Sequence, residues 1–203
     1  MTDRGIGPLV LAGSGEYTPA MDLVDRRLLE TCDGKTVILI ATACALEGAD
    51  VMARWEQMGV AHFQRLGVDA IPVRIADQGD AGRADLAEQI AAAGLVWFSG
   101  GSAAYLARTF EGTAAWQALL AANAAGGAVA GASGGLGVLN PHLPNPGAGA
   151  DQPPTGLGLA APVRAISHFD RIAARRPEVV DRALQALAPG QARAGVDEET
   201  AVV

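Results

Sequence analysis

Apolar residues along the chain gather in short runs: PLVLAG (8–13), TVILIAT (36–42), DAIPVRI (69–75), GLVWFSG (94–100), GAVAGAS (127–133), VRAISH (163–168) and TAVV (200–203). Several are apolar throughout rather than alternating. That pattern suits parallel strands buried on both faces. Helical patterns lie between them, over 19–32, 48–66, 83–93, 102–124 and 175–188. Pro177 fits a first helical turn and Pro189-Gly190 a stop. Strand–helix alternation of this kind predicts a three-layer α/β/α sandwich with a mostly parallel central sheet, in one domain over 1–203. The stretch 140–162 breaks the rhythm. It is dense in Pro and Gly, carries no periodicity, and is longer than an ordinary connection.

In open sheets of this class, ligands bind beyond the carboxyl ends of the strands. The positions to weigh are therefore Gly13–Tyr17, Thr42–Cys44, Ser99–Ser102, Ser133–Gly135, His168–Arg171 and Asp197-Glu198-Glu199. AGASGGLGV (130–138) carries two incompatible codes. One is a glycine turn for a dinucleotide, the other a G-x-S-x-G nucleophile elbow around Ser133. The dinucleotide turn belongs after the first strand of its fold, with a Tyr-x-x-x-Lys pair downstream. Here Tyr17, Tyr105 and Lys35 all lie upstream, and about 70 residues remain after the turn. The elbow reading fits better. GAVAGAS supplies the strand, Gly131 and Gly135 remove clashing side chains, and the Gly134 N–H would face an oxyanion.

A serine nucleophile needs a base and an orienting acid. His62 lies mid-helix and is expected to be a partly buried surface residue. His142 is nine residues from the serine in the irregular stretch and is a weak candidate. His168 ends an apolar run and so should reach the sheet edge that holds Ser133. Two acids compete: Glu198, just before the last run, and Asp151, between serine and histidine in chain order. Spacing alone does not choose between them. Gly100 and Gly101, in the SGGS turn at 99–102, can turn backbone N–H groups toward the pocket. Glu16, Gly100, Ser102 and Arg171 are candidate substrate contacts, Arg171 for a substrate carboxylate.

Composition narrows the classes. Half of the 203 residues are hydrophobic, 18% are charged, and the net charge is −7. The basic residues are scattered, which excludes a nucleic-acid stripe. No run approaches a membrane span, and the N-terminus does not read as a signal peptide. Cys32 and Cys44 form no metal or redox spacing, which suits a reducing cytoplasm. No metal and no cofactor is expected.

The strand and G-G turn at 98–102, the elbow at 131–135, SHFD at 167–170 and GVDEETAVV at 195–203, together with GSGEYTPAM (13–21) and GLGL (156–159), resemble the dipeptidase E and cyanophycinase family of serine peptidases. The resemblance covers nearly the whole chain in motif order. It implies a class I glutamine amidotransferase-like (flavodoxin-like) fold and hydrolysis of short or modified peptides. Ser133 corresponds to the nucleophile, His168 to the base, and Gly101 and Gly134 to the oxyanion-hole amides. Glu198 matches the acid of the late G-[IV]-D-E motif, and Asp151 loosely matches the acid that dipeptidase E places earlier. A homodimer is implied by the resemblance alone. Two departures stand out. The family usually has S-A-G where this chain has Ser133-Gly134-Gly135, which should loosen the turn. Ser102 and Ala103 stand where polar Asn, Asp or Gln groups usually hold substrate. These departures motivate a rival expectation, a non-catalytic binding module that keeps the pocket.

Overall fold

The computed structural model describes residues 5–31, 36–141, 156–185 and 190–203. A six-stranded sheet forms the middle layer. Its strands are β1 (Leu9–Ala12), β2 (Val37–Ile40), β3 (Ala70–Pro72), β4 (Leu95–Phe98), β5 (Ala128–Ala132) and β8 (Ala201–Val202), in the order β3-β2-β4-β5-β1-β8. All neighbours are parallel except β8, which runs antiparallel to β1. The unbroken apolar runs have a direct cause. Successive residues of β1, β2, β4 and β5 enter different cores. Leu11, Ile38, Ile40, Val96 and Phe98 pack on one face with Leu106, Phe110 and Leu119. Val10, Ala12, Val37, Leu39, Leu95 and Trp97 pack on the other with Met21, Leu28 and Phe63. The first face is covered by α4 (Ala84–Ala91), α5 (Ala103–Phe110), α6 (Ala114–Ala124) and α7 (Gly134–Leu139), the second by α1 (Asp22–Leu29) and α2 (Ala49–Arg65). α3 (Gln78–Ala81) is a single turn before α4. No helix among the described residues is long and apolar enough to cross a membrane.

Three expectations need correction. The run 163–168 does not join the central sheet. Residues Val163–Ile166 (β6) pair in parallel with Ala192–Gly195 (β7) in a separate two-stranded sheet. β7 carried no readable signal, because ARAG is short, small and largely exposed. The helix expected over 102–124 is two helices. Gly112 turns at φ +70° and Thr113 caps α6 by accepting from the Trp116 amide. In the last helical region, α8 (Phe169–Arg175) precedes α9 (Pro177–Gln185).

Register brings the site together. Ala12 stands beside Ala132, and Phe98 beside Gly131, so the chain leaves β1, β4 and β5 at one end of the sheet. β8 enters from that end, Ala201 beside Ala12, which sets the Asp197–Thr200 turn against the segment after β1. The Gly13 amide donates to Thr200 O at 3.0 Å.

Candidate active site

Ser133 stands between β5 and α7 with φ +50° and ψ −112°. Non-glycine residues rarely adopt positive φ, and such strain persists only where the surroundings impose it. Among the described residues four non-glycines do so: Tyr17, Ser133, His168 and Glu199. All four lie at the carboxyl end of the sheet.

His168 follows β6 and caps α8. Its Nε2 is 2.9 Å from Ser133 Oγ, and its Nδ1 is 2.8 Å from Glu198 Oε1. A carboxylate only accepts, so Nδ1 donates to Glu198 and Nε2 is left to accept the serine proton. His168 therefore reaches Ser133 from the small sheet rather than the large one. Two interactions fix that reach. The buried Asn140, just after α7, donates from Nδ2 to Ala165 O and accepts from Ala165 N at Oδ1, both at 2.9 Å. The helix behind the serine is thereby fastened to the strand before the histidine. The acid turn is held by α8: Asp170 Oδ1 accepts from the Glu198 amide at 3.1 Å, and Arg171 Nη2 lies 2.7 Å from Glu198 Oε2. Arg171, a candidate for a substrate carboxylate, thus faces Glu198. Asp151 and His142 lie outside the described residues, as does Cys32.

The turn after β4 lies against the elbow. A Cβ on Gly134 would fall 2.2 Å from Gly101 O and 2.7 Å from Gly101 C, a collision with backbone. Glycine at 134 therefore lets the Gly100-Gly101 turn pack directly on the elbow. The expected loosening is a close backbone contact instead. Gly101 itself, at φ +133°, seats on the Ala43 carbonyl. Among the described residues neither the Gly101 nor the Gly134 amide donates a hydrogen bond. The Gly100 amide donates to Glu16 Oε1 at 2.8 Å. Ser102 caps α5, its Oγ accepting from the Tyr105 amide at 3.2 Å.

Glu16 is 5% exposed, and burial raises its carboxyl pKa above the ordinary range while the Gly100 amide pulls it back. Beside it, the buried Tyr17 hydroxyl lies 3.0 Å from Ser99 Oγ, and burial raises its pKa well above that of a free phenol. Cys44 is buried, donates to Ala41 O at 3.0 Å, and burial pushes its thiol up to about 11, so it is an inert packing residue. Among the described residues no group of three His, Cys, Asp or Glu is placed to hold a metal.

His62 departs from expectation. It is 2% exposed, with Nε2 2.7 Å from Asp25 Oδ2 and Nδ1 2.8 Å from Arg65 Nη2. Sequence reasoning missed Asn140, Asp170 and the Tyr17–Ser99 contact. Asp170 sat inside a motif already singled out, whereas the other partners are 25 and 82 positions apart.

What such an arrangement can do is polarise a hydroxyl against an imidazole whose orientation is fixed from behind, next to two unengaged backbone amides. On a strand–helix turn of a parallel sheet, that chemistry defines the serine hydrolases. The chain belongs to peptidase family S51, whose profile matches residues 9–203. It is a serine-type peptidase. A peptidase from an acI-B1 Actinobacterium is 34% identical and superposes with a TM-score of 0.87, over 98% of this chain and 83% of that one. A Listeria monocytogenes EGD-e protein assigned to peptidase E shares the fold, with a TM-score of 0.68 and 17% identity over 97% of this chain and 93% of that one. No curated protein is significantly similar in sequence.

Proposed function

We propose that this peptidase hydrolyses short or modified peptides through Ser133, His168 and Glu198. The observation that carries the reading is the unbroken relay, 2.9 Å from Ser133 Oγ to His168 Nε2 and 2.8 Å from His168 Nδ1 to Glu198 Oε1. Ser133 Oγ attacks the scissile carbonyl while His168 takes its proton at Nε2. The imidazolium is held by Glu198 and returns the proton to the leaving amine. The Gly101 and Gly134 amides receive the oxyanion, each worth roughly 3–4 kcal/mol where such donors have been removed. Water then attacks the acyl-serine with His168 as base. No metal or cofactor is needed for these steps. A binding module that merely kept the pocket would have no use for a strained serine aimed at a backed imidazole. The chain acts as one domain. Its cytoplasmic placement rests on composition, and a homodimer on family resemblance. The test is a panel of dipeptides with varied first residues. Wild type should release free amino acids from a subset and Ser133→Ala from none. Equal turnover by both proteins would sink the reading.

A further inference from the structure

The segment between β1 and the first helix touches both halves of the site. Toward the acid side, Gly13 N donates to Thr200 O at 3.0 Å, Glu199 N donates to Ser14 O at 3.2 Å, and Gly15 packs on the Glu199 side chain. Toward the oxyanion side, Glu16 accepts the Gly100 amide at 2.8 Å and Tyr17 bonds Ser99 at 3.0 Å. Consecutive residues of one loop thus grip consecutive residues of the other. The grip is next to the nucleophile. A Cβ built on Gly100 would stand 3.0 Å from Glu16 Oε1 and 3.2 Å from Ser133 Cβ.

A Gly-Gly turn has two amides to offer and the backbone freedom to present either. We infer that Glu16 is the positioning residue that decides between them. By accepting Gly100 N–H it withdraws that amide from the pocket, holds the turn in one orientation, and leaves the Gly101 amide for the oxyanion beside that of Gly134. Strong acceptance suits a carboxylate. Burial gives the bond little competition from water, and the Tyr17–Ser99 contact stops the turn from swinging about it. Glu16 transfers no proton and makes no covalent bond in this role. Its effect is geometric, and misplacement of a reacting group by about 1 Å costs on the order of 100-fold in rate.

The inference rests on Ser133 being the nucleophile, and the experiment separates the two. The full chain is titrated with a fluorophosphonate probe, whose phosphoryl oxygen also needs the hole, and the rate of Ser133 labelling is followed with that of peptide hydrolysis. Glu16→Ala should slow labelling about 10- to 100-fold and lower kcat by a similar factor, with KM within about twofold. Glu16→Gln keeps an acceptor for the Gly100 amide and should recover labelling to within about threefold of wild type. Should Glu16→Ala not fold, Tyr17→Phe removes the second contact and should slow labelling by a smaller factor with kcat again falling ahead of KM. Labelling of folded Glu16→Ala at the wild-type rate would overturn the inference. Glu16→Gln as slow as Glu16→Ala would overturn it too, since charge rather than acceptance would then matter. No labelling of wild type at all would instead remove the nucleophile assignment.

Discussion

Among the described residues, two histidine–carboxylate pairs are of almost equal length. His168 stands 2.8 Å from Glu198 and His62 2.7 Å from Asp25. At the level of the pair they are the same object, yet their surroundings differ in every respect that matters for chemistry. His168 and Glu198 side chains are 34% and 23% exposed, whereas His62 and Asp25 are fully enclosed. The far nitrogen of His168 faces a serine hydroxyl, and that of His62 faces the Arg65 guanidinium. Arg65 can only donate, so the His62 proton sits on Nε2 and is given to Asp25, and neither nitrogen is left to accept from a nucleophile. Rings of Tyr17 and Phe63 close over it at 5.9 and 5.1 Å. His168 sits at φ +50°, while His62 lies within the regular helix α2. A histidine backed by a carboxylate is thus not in itself a site. What makes one is an open far nitrogen, a nucleophile on it, and a backbone forced to hold both.

The contrast can be broken at either end. Ser133→Ala and His168→Ala should each lower kcat/KM on a cleaved dipeptide by about 1,000-fold or more, with thermal midpoints close to wild type. Asp25→Ala should do the reverse. It strands the His62 donor in the core, and losing one partner of a buried pair costs about 3 kcal/mol, or about 8 °C in Tm for a chain this size. Measured well below that midpoint, its kcat/KM should remain within about twofold of wild type. Gly134→Ala acts at the site alone. The added methyl meets the Gly101 backbone at 2.2 Å, so the oxyanion turn must move away, and kcat should fall by about 100-fold with little change in KM.

Smaller effects follow from charge. Burial raises the Glu16 pKa above its ordinary 4.5. The folded state therefore binds that proton more readily than the unfolded chain, and stability from it is lost as pH rises through the folded value. Glu16→Gln removes this dependence. It should raise Tm at pH 7, and the gain over wild type should vanish as pH is lowered below the ordinary carboxylate pKa. Arg171 pairs with Glu198 but is 58% exposed. An exposed pair is worth at most about 1 kcal/mol, so Arg171→Ala should lower kcat/KM by no more than about fivefold and less at high salt.

The large sheet was legible because burial on both faces forces apolar residues at successive positions. The strand–turn–helix at Ser133 was legible because such a turn needs small neighbours, and Gly131 and Gly135 are local. His168 could be reached by its place at the end of an apolar run, even though that run belongs to the small sheet. What escaped is long-range. Nothing near Glu16 in sequence announces Gly100, 84 positions on, and nothing near His62 announces Asp25, 37 positions back. Gly134 shows a different limit. As a departure from relatives it suggested a loose turn. Only the backbone of Gly101 across the cleft explains why a side chain is excluded there.

The proposed chemistry turns on one atom, Ser133 Oγ. Its most direct test is peptide mapping by mass spectrometry after exposing the folded chain to a fluorophosphonate. A Ser133 nucleophile activated by His168 requires a single phosphonyl adduct on the peptide holding Ser133, absent from His168→Ala under the same exposure. A folded wild-type chain that carries no adduct, or carries it on another residue, would contradict it.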